Sequence, residues 1–164
     1  MTVTQDLASP ADAPPADPLA LDQQVCFAVV VAARNVVALY RPILEPMGLT
    51  HPQYLVMLAL WQHAPLSVKQ LSELLQLDPG TLSPLLKRLE SAELVVRRRD
   101  AADERQLAVE LTGRGRALRE QALQVPPAVM DRLGMPLSEL RALHASLTRV
   151  IAATGTAAHR EAGQ

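Results

Sequence analysis

The sequence predicts a mainly α fold in which short capped helices are followed at once by one β-hairpin, with longer apolar helices at either end. Three observations carry that expectation. Hydrophobic residues make up 49% of the 164, yet there are only one Trp, two Tyr and one Phe, so the apolar content is Leu, Val and Ala rather than the aromatics that favour strands. Helix-capping patterns recur between residues 50 and 79. The apolar period then switches to that of a strand for a single stretch before the helical period returns.

The elements follow in chain order. Residues 1–18 hold Pro10, Pro14, Pro15 and Pro18 among Ala and Asp, a composition without helical period that predicts a disordered acidic arm. From about Leu19 to Tyr40 the chain is helix-compatible, with Leu21, Val25, Val29, Ala32, Val36 and Ile43 on one stripe, and Pro42, Pro46 and Gly48 are expected to end it. A helix apolar on so many faces must be covered by its own domain or by a partner chain. Thr50-His51-Pro52-Gln53 reads as a capping box with Pro in the first turn, opening a helix to about His63. Ser67 with Gln70 opens a second, short helix bearing Val68, Leu71, Leu74 and Leu75. Asp78-Pro79 starts a third, whose Leu82, Leu85, Leu86 and Leu89 sit at i, i+3, i+4 and i+7, and which ends near Ala92.

Leu94 to Arg99 is β-compatible, Asp100 to Glu104 is a polar turn, and Leu107, Val109 and Leu111 alternate with Gln106, Ala108 and Glu110, which predicts a hairpin with one buried face. Thr112 caps a long basic helix to roughly Leu133, bent at Pro126-Pro127. Ser138 opens a last helix carrying Leu140, Leu143, Leu147, Val150 and Ile151, with residues from Thr154 onward expected to fray.

Composition also excludes function classes. A single Cys allows no intramolecular disulfide and no multi-thiolate metal site, and cytoplasm is the expected compartment. The longest apolar run, Val25 to Ala33, is broken by Arg34 and falls short of the roughly 18 residues of a membrane helix, and no basic segment precedes an apolar stretch at the N-terminus. No membrane association is therefore expected. The scarcity of aromatics speaks against a binder of single-stranded nucleic acid, which stacks bases on such rings. An enzyme is not expected, nor a cofactor or a metal. There is no resolving Cys for a thiol peroxidase built on Cys26, no Gly-rich phosphate loop and no metal-ligand cluster, and His63, His144 and His159 are scattered.

The net charge of -1 conceals a gradient: residues 1–22 carry four Asp and no Lys or Arg, whereas Lys87 to Arg119 holds nine basic against six acidic residues. Capped helix, turn, capped helix and basic hairpin in that order is the layout of a winged helix-turn-helix. With the leucine stripe turned to the core, Gly80, Thr81, Ser83, Pro84, Lys87 and Arg88 lie on or beside the opposite face, hydroxyls toward base edges and cations toward phosphates. Gly80 admits close backbone approach, and Pro84 leaves the Gly80 carbonyl without its helical donor. In the hairpin, Arg97, Arg98 and Arg99, with Asp103 and Arg105 at the tip, suit the minor groove, the carboxylate fixing the direction of the neighbouring guanidinium. Read alone, the same arginines make a solvated face with local ion pairs.

Asp103-Glu104-Arg105-Gln106-Leu107-Ala108-Val109-Glu110-Leu111-Thr112 fits the D-x-R-x-x-x-V-x-L-T wing signature of MarR-type regulators, and the span from about Leu21 to Ile151 resembles them. Three further segments look like the OhrR subgroup, the organic-hydroperoxide-sensing repressors: Tyr40-Arg41-Pro42-Ile43-Leu44, Thr50-His51-Pro52-Gln53-Tyr54-Leu55, and Leu77 through Glu90. The resemblance implies a winged helix-turn-helix over about residues 50–112 within one domain spanning 19–154, dimerisation helices over 19–45 and 112–153, and a frayed tail over 155–164. It implies a homodimer on an inverted repeat in double-stranded DNA.

Read without that resemblance, Cys26 is a small hydrophobe on an apolar helix. The resemblance places the peroxide-reactive thiol at Cys26, hydrogen-bonded by tyrosines from across the dimer. Tyr40 matches one of these, and His51 stands where the family usually has the other. As an imidazolium, His51 would lower the thiol pKa further. The implied chemistry is that of the one-cysteine branch: a hydroperoxide oxidises Cys26 to a sulfenic acid, a low-molecular-weight thiol caps it or it cyclises onto a backbone nitrogen, and the dimer releases its operator. The alternative is a MarR-type regulator that responds to a small lipophilic or phenolic ligand, with Cys26 inert.

Overall fold

The computed structural model describes residues 17–99 and 107–161. Most of the expected acidic arm, and the polar turn with Asp103 and Arg105, lie outside the described residues. The chain divides into two compact units, one ending at Leu39 and the other beginning at Tyr40.

In the first unit, Asp17 Oδ1 accepts from Leu19 N–H at 2.9 Å and the Gln24 amide donates to the Pro18 carbonyl at 2.7 Å, folding the entry into a 3-10 turn over Leu21–Gln23. Helix α1 (Val25–Leu44) follows. Its Val25, Phe27, Val29, Val30 and Val37 are exposed in the single chain. The helix does not stop at Pro42 as expected. It runs through it to Leu44, leaving the Ala38 carbonyl without its usual donor, and the break comes at a second 3-10 turn, Glu45–Met47, closed by Gly48 in the left-handed region. The span Val25–Met47, with a mean hydropathy of 1.5, is long and apolar enough by length and composition to cross a membrane. The contrary expectation counted only the unbroken apolar run, whereas a longer window absorbs Arg34.

The second unit is built around α2 (His51–His63), α3 (Val68–Leu75) and α4 (Pro79–Ser91). Both expected capping boxes are present: the Gln53 carbonyl oxygen accepts from Thr50 N–H at 2.8 Å, and that of Gln70 accepts from Ser67 N–H at 2.8 Å. Asp78 caps α4 by accepting from Thr81 N–H at 2.9 Å. These caps satisfy amide groups that the first helical turn cannot pair, each worth about 1 kcal/mol. Leu82, Leu86 and Leu89 of α4 are wholly buried with Met57 and Leu60 of α2 and Leu71 of α3.

The hairpin forms from β2 (Val95–Arg99) and β3 (Leu107–Leu111), but it has a third member, the two-residue β1 (Leu66–Ser67), so that the antiparallel order is β1-β3-β2. This changes which residues are inside. β1 pairs with Val109 and Ala108, and those two are buried although they point to opposite faces: β3 is the central strand, and α2 and α3 also pack against it. Leu107 lies one residue beyond the reach of β1 and is 48% exposed, against the expected alternation.

After Thr112, the expected single helix is two, α5 (Gly113–Ala122) and α6 (Val125–Leu133). Pro126 and Pro127 fall in the first turn of α6, where their missing donors cost nothing, and so begin a helix rather than bend one. Helix α7 (Leu137–Glu161) extends past the expected fraying point at Thr154. Its Leu143, Leu147, Val150 and Ile151 are exposed in the single chain.

Candidate DNA-binding face and cysteine site

The six residues expected to face DNA from α4 share one exposed surface: Gly80, Thr81, Ser83, Pro84, Lys87 and Arg88 are all on the outside, opposite the buried leucines. Their hydroxyls are turned back toward the helix. Thr81 Oγ1 donates to Asp78 Oδ2 at 2.6 Å and Ser83 Oγ donates to the Pro79 carbonyl at 2.8 Å, so each presents lone pairs outward rather than its proton. Thr81 thereby holds the Asp78 carboxyl below its usual range, keeping a negative charge at the positive end of the α4 dipole. Among the described residues, Lys87 and Arg88 enter no ion pair.

The wing arginines are not equivalent. Arg97 is half-buried and its Nη2 lies 2.5 Å from Glu90 Oε2 at the end of α4, which ties the wing to the helix. That hydrogen bond pushes the Glu90 carboxyl down and the Arg97 guanidinium up. Arg98 is exposed and only loosely paired with Glu110 at 3.9 Å, and Arg99 is exposed. Arg97 is thus a strut, and Arg98 and Arg99 are the cations presented outward.

A chain of hydrogen bonds joins α2 to α4 through α5 and the wing root. The indole Nε1–H of Trp61 donates to the Gly115 carbonyl at 2.9 Å. Gly115 N–H donates to Thr112 Oγ1 at 2.9 Å, and Thr112 Oγ1 donates to the Glu93 carbonyl at 2.6 Å. Thr112 N–H donates to the Leu94 carbonyl at 3.1 Å, and Leu94 N–H to the Leu89 carbonyl of α4 at 3.0 Å. Glu93 sits at φ 56, in the left-handed region, where the chain turns from α4 into β2. A side chain on Gly115 would place its Cβ 2.0 Å from the Leu94 carbonyl oxygen, so only glycine fits.

Cys26 lies in the first turn of α1 and is exposed in the single chain. Tyr40 and His51 are in edge contact, ring centroids 4.7 Å apart at 61°. The contacts continue from Tyr40 to Tyr54 at 6.0 Å and from Tyr54 to Trp61 at 6.3 Å. Burial raises the pKa of both tyrosines, Tyr40 adding charge repulsion to Tyr54, and lowers that of His51. Desolvation therefore favours the neutral imidazole at position 51, which runs against the imidazolium role expected for it. Two neighbouring clefts, about 480 and 330 Å³, share Trp61 and Arg119 as lining. Trp61 and Gly115 did not stand out in the sequence, whereas Thr112 did, as the cap at the start of α5, where its side chain accepts from Gly115 N–H. The one available signal was that the chain spends its single Trp on α2.

The MarR family model matches residues 49–107, from the residue before the cap of α2 to the first residue of β3. The chain is 50% identical over 127 residues to the HTH-type transcriptional regulator TtmR of Methylorubrum extorquens, covering 77% of this chain and 65% of that one, so it spans just under two-thirds of that relative. It is 37% identical to the organic hydroperoxide resistance transcriptional regulator of Bacillus subtilis, over 80% of this chain and 89% of that one. Among solved structures it is similar to reduced AbfR bound to DNA, with a TM-score of 0.67 and 32% identity over 82% of this chain and 94% of that one.

Proposed function

The chain belongs to the MarR family of DNA-binding transcriptional regulators, and from that premise we propose that it is a repressor that senses organic hydroperoxides through Cys26. The carrying observation is the likeness to the Bacillus subtilis regulator over four-fifths of the chain, together with an exposed thiol in the first turn of α1 and the contact between Tyr40 and His51.

The reading assigns roles to residues. Two copies join through the apolar faces of α1 and α7, which a single chain leaves in water, and seat two winged domains on an inverted repeat in the cytoplasm. Thr81 and Ser83 offer acceptors to base edges, Gly80 and Pro84 let the backbone approach, and Lys87 and Arg88 bind phosphates. Arg98 and Arg99 reach the minor groove, and Arg97 holds the wing against α4.

In the sensing step the Cys26 thiolate attacks the distal peroxide oxygen. The S–O bond forms as the O–O bond breaks, the alkoxide leaves and takes a proton to become the alcohol, and sulfur is oxidised to a sulfenic acid. A small thiol then attacks that sulfur and expels water, giving a mixed disulfide, since the chain has no second Cys. Tyr40 and neutral His51 donate hydrogen bonds to the thiolate within the dimer, and the adduct forces the subunits into an arrangement that misaligns the wings.

The test is intact-protein mass and operator affinity measured in parallel after one equivalent of cumene hydroperoxide, for wild type and Cys26→Ser. Wild type gains oxygen or a thiol adduct and loses the operator, while the mutant does neither. Equal release from both proteins would sink the redox reading. It would favour the second one, a regulator of small lipophilic or phenolic ligands, for which the clefts around Trp61 and Arg119 are the supporting observation.

A further inference from the structure

We infer that Trp61 is a positioning residue that transmits the state of the sensing site to the DNA-binding elements, by tying α2 to the first turn of α5. This rests on the hydroperoxide reading above and names how that site is read out.

Two halves of the path meet at this one side chain. On one side Tyr40, the residue matched to thiol support, contacts Tyr54 at 6.0 Å, and Tyr54 contacts the Trp61 ring edge-on at 6.3 Å and 66°. On the other side the indole N–H holds the Gly115 carbonyl, and from there hydrogen bonds run through Thr112, Glu93 and Leu94 to Leu89 in α4. Close-packed aromatic rings do not deform gradually, so a displaced Tyr40 ring forces its neighbours to shift. The first turn of α5 is already packed so close to Leu94 that a Cβ at Gly115 would stand 2.0 Å from its carbonyl oxygen, so the turn cannot yield in that direction. A turn of α5 that must move then carries the wing root and the end of the DNA-facing helix with it. Without the indole N–H, the rings and α5 are joined by packing alone.

Trp61→Phe keeps a ring against Tyr54 and removes only the donor. Operator affinity is compared for reduced and cumene-hydroperoxide-treated protein, on a duplex selected from random DNA by the reduced wild type, with Cys26 oxidation followed by mass. The variant is expected to oxidise at the wild-type rate, within about twofold. Its reduced form binds the operator within about threefold of wild type. The loss of affinity on oxidation shrinks by about fivefold, the scale of one neutral hydrogen bond. A variant whose oxidised-to-reduced ratio equals that of wild type overturns the inference. If wild type itself does not respond to the oxidant, the hydroperoxide reading has failed, and a second measurement still decides the coupling. Trp61 is the sole tryptophan, so its emission reports this position alone. Operator binding to reduced protein is expected to shift that emission, and emission unchanged at saturating operator overturns the coupling.

Discussion

Gly115→Ala, at the first turn of α5, should cost more stability than the same substitution at the other glycines among the described residues. The added Cβ would stand 2.0 Å from the Leu94 carbonyl oxygen and 3.0 Å from its carbon, with Leu111 Cδ2 at 3.4 Å. Both nearest atoms are backbone, and the Leu94 oxygen is fixed by Thr112 N–H at 3.1 Å. Relief therefore requires α5 to move by more than an ångström from β2. Overpacking of this kind costs roughly 1–3 kcal/mol, and the movement strains about two hydrogen bonds of roughly 1 kcal/mol each. The expected total is about 4 kcal/mol, which for a chain of this size lowers the thermal midpoint by about 12 °C. Gly113→Ala is the internal control: nothing lies within 4 Å of its would-be Cβ, so alanine there should be neutral or stabilise by up to about 1 kcal/mol. The assay is urea unfolding of both variants at equal protein concentration, with Trp61 emission as the probe. A Gly115→Ala protein whose midpoint matches that of Gly113→Ala would refute the packing argument, and with it the claim that α5 cannot yield toward Leu94.

Further expectations follow from the same geometry. Leu86→Ala, which empties a wholly buried position in α4, should cost about 2–5 kcal/mol in denaturant titration, whereas Lys87→Ala beside it should leave stability within about 0.5 kcal/mol. The Lys87 variant should instead bind the operator more weakly and reduce the slope of log affinity against log salt by about 1. The Glu90 carboxyl is held down in the folded state by Arg97, so its contribution to stability is present above the ordinary carboxylate range and is lost as pH falls below about 4. Glu90→Gln should accordingly be less stable than wild type at pH 7, by about 1 kcal/mol for a partly exposed pair, with the difference shrinking as pH falls below the ordinary carboxylate range. Burial lowers the His51 pKa, so the unfolded chain takes up the proton first and stability declines as pH falls through the ordinary imidazole range near 6.5. His51→Tyr should remove that part of the decline in a pH series of unfolding midpoints.

What the sequence made legible was whatever local chemistry decides. Ser67 and Asp78 announced their helices because a capping oxygen acts within three residues, and the leucine stripe of α4 announced its own buried face. The exposed positions of Gly80, Thr81, Ser83, Pro84, Lys87 and Arg88 followed as the complement of that stripe. Features set by distant partners were not legible. Leu66 and Ser67 are too few to show strand period, and they become β1 only because Val109 and Ala108 lie opposite. Ala108, opposite Ser67, is inside, and Leu107, beyond that pairing, is outside. Pro126-Pro127 is compatible with a bend or a start, and the break at Leu123–Gln124 settled it. The Trp61–Gly115 bond joins residues 54 positions apart, beyond any local rule.

The long apolar helices carry a consequence for how the amount of folded protein depends on its concentration. Val25, Val30, Val150 and Ile151 stay in water in a lone chain, so association contributes directly to folding free energy and the melting temperature rises with protein concentration. A chain that meets no partner leaves these apolar faces of α1 and α7 in water, whereas the dimer proposed above covers them. For that dimer, the amount of folded regulator rises more steeply than the total concentration of chains.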